Sequence, residues 1–273
     1  MSGAVRDIMV VTGAGGMGEA IARRLGAGRV VVLADAAEAQ LASAADRLRA
    51  NGHEVEAIRT DVSSAADVEG LARAAAALGP IRCVVHTAGV SPVQATPEQV
   101  VAVDVVGTAL VLEAFEPYVV SGTVAVCIAS MAGTMTTVDP ATLRRLATTP
   151  AAGLARLAEL DPATMDAGTA YGIAKRANQV RVEAASPAWG RRGGRVVSIS
   201  PGIIATPMGN AELDGPFGEV MRSMIEMSGT RRVGTADDIA AAVEFLVSPA
   251  ASLITGTDLL VDGGVIAAVR NAS

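Results

Sequence analysis

Tyr171 and Lys175 stand four residues apart in the stretch TAYGIAK, residues 169–175. On a helix that spacing puts both side chains on one face. Two readings follow: an ordinary surface pair, or a phenol that exchanges protons beside the ammonium that tunes it. The chain holds only two tyrosines, Tyr118 and Tyr171. A free phenol titrates near 10, so to act as a base near neutral pH it must fall by about 2–3 units, or about 3–4 kcal/mol. An ammonium about 4.5 Å away, at an effective dielectric near 20, supplies roughly 4 kcal/mol. One lysine is therefore of the right magnitude.

A second group with chemical meaning is TGAGGMG, residues 12–18. Gly13, Gly15 and Gly18 form G-x-G-x-x-G, with Gly16 and Met17 between them. The loop follows an apolar strand and opens a helix. Glycines there let backbone approach a pyrophosphate, and the helix start supplies free N–H groups and positive potential. Asp35 ends the next strand, 22 residues after Gly13. Its carboxylate can accept hydrogen bonds from both ribose hydroxyls of an adenosine and would repel a 2′-phosphate. Neither Gly15 nor Ala36 offers a compensating cation, so NAD is expected over NADP. The plain structural alternatives are a tight turn that binds nothing and an Asp35 that caps a helix.

The elements that must position these groups alternate along the chain. Apolar, β-branched runs at 7–13, 29–35, 53–61, 81–89, 122–130, 194–200 and 257–264 read as strands. Amphipathic stretches from Met17 to Leu25, over 37–50 and from Ser64 to Leu78 read as helices. Thr96-Pro97-Glu98-Gln99 and Thr235 to Asp238 are capping-box patterns that open two more. Near-continuous apolar strands separated by helices mean a parallel sheet covered on both faces. With no linker and no repeat, the expectation is one α/β, doubly wound Rossmann domain over 1–273, with seven parallel strands and ligands at their carboxyl ends.

Composition narrows the function. The chain is 51% hydrophobic but only 2% aromatic, so its core is aliphatic. A net charge of -6 without a basic block disfavours nucleic acid and anionic membrane surfaces as partners. There is no secretion signal and no apolar run long enough to span a bilayer, so a cytoplasmic protein is expected. Cys83 and Cys127 read as buried thiols in neighbouring strands. The only histidines, His53 and His86, form no metal-ligand spacing with them, so no metal is expected.

Taken in order, these motifs resemble the short-chain dehydrogenase/reductase family over about residues 5–265. The glycine loop is similar to that family's first motif. Asp61-Val62 matches the pair placed beside the adenine. His86-Thr87-Ala88-Gly89 stands where Asn-Asn-Ala-Gly is usual. Ser130 stands where the family keeps its catalytic serine, and Tyr171 and Lys175 match its active-site motif. SPGIIATPM, residues 200–208, resembles the segment carrying the nicotinamide, and RRVGTADDIAAAVEFLVS…ITGTDLLVDGG resembles the C-terminal signature. The resemblance implies catalysis by Ser130, Tyr171 and Lys175. It implies cofactor contacts from Gly13, Gly15, Gly16, Met17, Gly18, Asp35, Asp61, Val62, Ala88, Gly89, Tyr171, Lys175, Pro201, Gly202, Ile204 and Thr206. Tyr171 would exchange a proton with the substrate oxygen, Ser130 would hold that oxygen, and Lys175 would also bind the nicotinamide ribose.

The sequence departs from the family pattern in three places. The glycine loop is one residue shorter than usual, which leaves open whether Gly15 or Gly16 makes the close approach. Asp104 stands three residues before Gly107, where the family has an asparagine that helps hold a water linking the lysine to solvent. An ionised Asp104 near Lys175 would oppose the shift of the tyrosine; either it is set back, or it is neutralised, or the relay differs, or it lies on the surface. Ser130 and Tyr171 are 41 residues apart, against about a dozen in the family. The extra segment, about 134–168, carries Leu143, Leu146, Leu154, Leu157 and Leu160 at near-helical spacing, and Asp139-Pro140 and Asp161-Pro162 as helix starts. In this the chain resembles some bacterial hydroxysteroid dehydrogenase/carbonyl reductases of the family, which carry a similar insertion.

A lid at about 207–232 supplies Met208, Leu213, Phe217, Val220, Met221, Met224, Ile225 and Met227, a pliable apolar wall that the inserted leucines could extend. A hydrophobic small-molecule substrate is expected, a secondary alcohol or ketone of steroid or alicyclic type. Simple packing of the lid is the alternative use of those residues. Two rival functions are an NAD-binding regulator without turnover and a sugar-nucleotide epimerase or dehydratase. The assembly expected is a homodimer, through the C-terminal helix and last strand, or a homotetramer.

Overall fold

The structure, a computed structural model, describes residues 6–272. Its frame is a seven-stranded parallel sheet in the order β3-β2-β1-β4-β5-β6-β9. β1 (Ile8–Thr12) leads through α1 (Gly16–Leu25) to β2 (Val30–Asp35), α2 (Glu38–Ala50), β3 (Glu54–Arg59), α3 (Ala65–Leu78) and β4 (Ile81–His86). The next helical run comprises α4 (Pro97–Val100), a π-helical segment (Val101–Gly107) and α5 (Thr108–Phe115). After β5 (Val124–Ile128) come α6 (Met131–Met135), α7 (Pro140–Thr148), α8 (Ala151–Leu154) and the long α9 (Ala167–Arg191). β6 (Arg195–Pro201), β7 (Ile204–Ala205), α10 (Pro207–Leu213), α11 (Gly218–Met227), β8 (Gly234–Thr235), α12 (Ala236–Val247), β9 (Asp258–Val261) and α13 (Val265–Ala272) complete the chain. The α/β, doubly wound architecture expected from the sequence is the one observed. The β7–β8 pair and α13 add to it.

The pleat explains the two-sided burial. In β1, Met9 and Val11 face a core made with α1, α2 and α12, through Ile21, Leu41, Leu48, Ile239 and Leu246. Ile8 and Val10 face the other core, made with α3, α5 and α9, through Leu71, Leu112, Phe115 and Trp189. Alternate residues point to opposite faces of a strand, so an all-apolar strand needs helices on both sides. Cys83 belongs to the first face and Cys127 to the second, which separates the two buried thiols across the sheet. Burial pushes both up to about 12.

Order reverses between β1 and β4, the neighbours at the centre of the sheet. A crevice opens there at the strands' carboxyl ends. Among the described residues no helix is long and apolar enough to cross a membrane, and no cluster of His, Cys, Asp and Glu could hold a metal ion.

Candidate active site

The glycine turn is shaped by what its backbone must clear. Gly13 has φ +91°, and a Cβ there would meet Thr87 Oγ1 at 2.6 Å and the Ala88 nitrogen at 2.7 Å. A Cβ on Gly18 would collide with the Gly13 carbonyl oxygen. Gly15 has no such constraint, with Gln40 Nε2 the nearest atom at 3.5 Å, while Gly16 lies against Thr206 at 3.3 Å. Gly16 is therefore the more closely packed of the two glycines that the sequence left open. Ala14 donates its N–H to Asp35 Oδ2 at 2.7 Å, and Ala37 donates to Asp35 Oδ1 at 2.8 Å. Asp35 thus ties the end of β2 to the glycine loop.

Gly13, Gly15, Gly16, Met17, Gly18, Asp35, Asp61, Val62, Ala88, Gly89 and Thr206 line one cleft of about 670 Å³. Arg47, which the sequence reading did not single out, also lines it. Its guanidinium is held by both oxygens of Glu19, at 2.8 and 2.7 Å. Helical spacing from Gln40 on α2 was the only signal that could have placed it there.

An adjoining cavity of about 330 Å³ is lined by Ser130, Tyr171, Pro201, Gly202, Ile204 and Thr206 together with lid residues. Met17, Thr206 and Met208 border both spaces. The wall is mostly apolar, with Met208, Phe217, Val220, Met221 and Met224 from the lid. One carboxylate interrupts it: Glu212 on α10, which accepts a hydrogen bond from the buried Ser91 hydroxyl at 2.7 Å. Glu212 was not among the lid residues singled out from the sequence.

Ser130 and Tyr171 meet because α6 and α9 touch backbone to backbone. A Cβ on Gly133 would lie 2.6 Å from the Lys175 carbonyl carbon, and one on Gly172 would collide with Thr136 Oγ1. Two glycines thus bring the helix that Ser130 caps onto the helix that carries Tyr171. The segment between them loops away. Leu146, Leu154 and Leu160 are buried against Val100, Val101, Val105 and Ala174, so they form a third core rather than extend the substrate wall. That corrects the role expected for them. Asp139 caps α7, accepting from the Ala141 and Thr142 N–H groups, whereas Asp161-Pro162 opens only a single 3₁₀ turn.

Lys175 lies behind Tyr171, its ammonium 5.3 Å from the ring centroid. It is not free to act on the phenol alone. Asp104, with no exposed surface, accepts from Lys175 Nζ at 3.2 Å through Oδ1. The surface position weighed for Asp104 is therefore excluded. Gly89 permits this approach, since a Cβ there would lie 2.6 Å from Asp104 Oδ1 and 3.2 Å from Lys175 Nζ. The phenol responds as electrostatics requires. Burial raises Tyr171 above its ordinary value, Lys175 pulls it down, and Asp104 and Glu212 push it up again. The Ser130 hydroxyl is close enough to oppose the rise. The lowered phenol expected from one unpaired lysine is not found: burial outweighs the lysine's pull, and the buried carboxylate offsets part of that pull.

His86 completes the interior. Its Nδ1 is 2.7 Å from Thr12 Oγ1 and its Nε2 is 3.0 Å from Thr108 Oγ1. Thr108 already donates its proton to the Asp104 carbonyl at 2.9 Å. Nε2 must therefore be a donor, and since burial keeps the ring neutral, Nδ1 is the acceptor. Burial, aided by Lys175, lowers His86 to about 3.

Comparison with known proteins agrees with this geometry. Residues 7–141 match the family model described as short chain dehydrogenase, and residues 160–266 match the one described as Enoyl-(Acyl carrier protein) reductase. The chain is 39% identical to short-chain dehydrogenase/reductase bsc3 of Alternaria brassicicola, over 96% of each chain. It is 32% identical to a galactitol 2-dehydrogenase (L-tagatose-forming) of Cereibacter sphaeroides, over 93% of this chain and 92% of that one. It is 31% identical to the 3-alpha-hydroxysteroid dehydrogenase/carbonyl reductase of Comamonas testosteroni, over 67% of this chain and 72% of the relative. Members of this family are oxidoreductases of alcohols and ketones that use a nicotinamide cofactor. The chain, an oxidoreductase by this relationship, belongs to the short-chain dehydrogenase/reductase family.

Proposed function

We propose that the protein interconverts a hydrophobic secondary alcohol and its ketone, with NAD as cofactor and Tyr171 as the acid/base. The observation that carries this reading is the position of Ser130 and Tyr171 in the apolar cavity that adjoins the glycine-loop cleft. The cleft fits a dinucleotide in its own terms. Gly13 and Gly18 leave no room for side chains at the turn, α1 presents its N-terminus, and the Asp35 carboxylate stands where a ribose diol would be recognised. Bound nicotinamide supplies a hydride acceptor or donor.

The protein's own residues do the rest. Tyr171 passes a proton to or from the substrate oxygen, and Ser130 holds that oxygen by a hydrogen bond. Lys175 sits behind the phenol, where its charge acts on Tyr171 and on Asp104 together. Asp61, Val62, Ala88 and Gly89 would meet the adenosine in the cleft; Pro201, Gly202, Ile204 and Thr206, in the adjoining cavity, would meet the nicotinamide. The methionine-rich lid suits an apolar body, in line with the activity named for the Comamonas relative. Glu212 disfavours acidic substrates.

As an assembly we favour a dimer through α12 and β9. Phe245 on α12 and Leu253 before β9 are exposed, while α7 and α8 cover the α5 and α9 side. Sedimentation that returns a tetramer would correct this.

A panel of steroid, alicyclic and aliphatic alcohols with NAD, followed at the reduced-cofactor absorbance, tests the function. Turnover confined to apolar cyclic alcohols is expected. Turnover of open-chain polyols alone would overturn the substrate assignment.

A further inference from the structure

The family places a neutral amide where this chain has Asp104. Asp104 lies inside the π-helical segment, a rare geometry that is frequent at functional sites. Its Oδ1 accepts from Lys175 Nζ and from the Val90 N–H, each at 3.2 Å. Its Oδ2 is buried and has no hydrogen-bond partner within the protein. The ion pair is closed off from solvent, with the lysine only 5% exposed. His86 on β4 is kept neutral by burial, and Cys127 on β5 is a buried thiol. From α10, Glu212 adds a second negative charge on the phenol's side. Lys175 on α9 is thus the one cation that faces this cluster among the groups acting on Tyr171.

We propose that Asp104 is a positioning residue which, through its ion pair with Lys175, offsets part of the lysine's pull on the buried phenol of Tyr171, so that the site is set to act as an acid on a carbonyl. This rests on the acid/base role assigned to Tyr171. In the reductive direction the phenol gives its proton to the carbonyl oxygen and regains one from water, while the hydride and its electron pair come from the reduced nicotinamide. In the oxidative direction the phenol must first lose its proton, so alcohol oxidation has its working range at alkaline pH.

The chain's two tyrosines make the proposal directly measurable. Tyr118 is half-buried and lines neither of the two cavities. In a Tyr118→Phe background, the near-ultraviolet phenolate absorbance of the cofactor-free protein reports Tyr171 alone. The expected midpoint lies above the ordinary value of about 10. Adding Asp104→Asn, the family's residue, should lower it by about one unit or more, because one buried charge is removed while the shape is kept. The pH–rate midpoint for alcohol oxidation should move the same way. A midpoint that stays put or rises in Asp104→Asn overturns the proposal. Should that variant not fold, a midpoint well below about 10 in Tyr118→Phe alone overturns it equally. The titration needs no substrate: if it behaves as expected and no alcohol or ketone is ever turned over, the oxidoreductase reading fails and the ion-pair assignment stands.

Discussion

Asp35 accepts a hydrogen bond from the Ala14 N–H at 2.7 Å, so the residue that ends β2 also holds the glycine turn after β1. One carboxylate thereby shapes the turn and lines the cleft proposed to hold the dinucleotide. Asp35→Asn keeps an acceptor for Ala14 and removes the charge. The preference for NAD over NADP, read as a ratio of kcat/KM values, should fall about tenfold or more. Arg47 lines the same cleft but is neutralised by Glu19, so Glu19→Gln added to Asp35→Asn should raise NADP use further.

The glycines of the loop should separate by thermal unfolding. Gly13→Ala puts a Cβ within 2.7 Å of Thr87 and Ala88 at a positive φ. It should cost at least about 1–3 kcal/mol and lower Tm. Gly15→Ala meets nothing closer than 3.5 Å and should unfold close to the parent temperature.

Much of this was legible before any coordinates. The central strands follow from apolar runs that need cover on both faces, whereas the edge strand β3, with two glutamates, follows from its Val55 and Ile58 and its place between helices; the two capping boxes open α4 and α12 as read. Ser130, Tyr171 and the glycine loop follow from motif order. What could not be read was which charges meet in the interior. Asp104 and Lys175 are 71 residues apart, and their contact depends on a π-helical segment and on the missing side chain of Gly89. The Tyr171 shift is opposite to the expectation from Tyr171 and Lys175 alone, first because the phenol is buried and then because Asp104 offsets part of the lysine's charge. The inserted leucines were readable as helical but not as to which face they pack on, since periodicity names a face and not its neighbour.

His86 ties stability to pH. Its folded value of about 3 lies below the ordinary 6.5, so between those values the unfolded chain binds the extra proton and stability rises with pH. From about pH 6.5 down to about 5.5 the protein should lose about 1 kcal/mol from this group. Urea unfolding at the two pH values should show that loss, and it should be absent in His86→Asn.

Glu212 predicts a charge preference in the substrate cavity. For a pair of cyclic alcohols that differ by one carboxylate, the neutral member should be favoured. In Glu212→Gln the kcat/KM of the acidic member should rise about tenfold while the neutral one changes little.

Hydride transfer to a cyclic ketone, followed as loss of reduced NAD in the parent protein and in Tyr171→Phe, bears most directly on the whole reading. Turnover should drop by about 10²–10⁴-fold, with cofactor affinity by calorimetry unchanged. A Tyr171→Phe protein that turns over near the parent rate would contradict it.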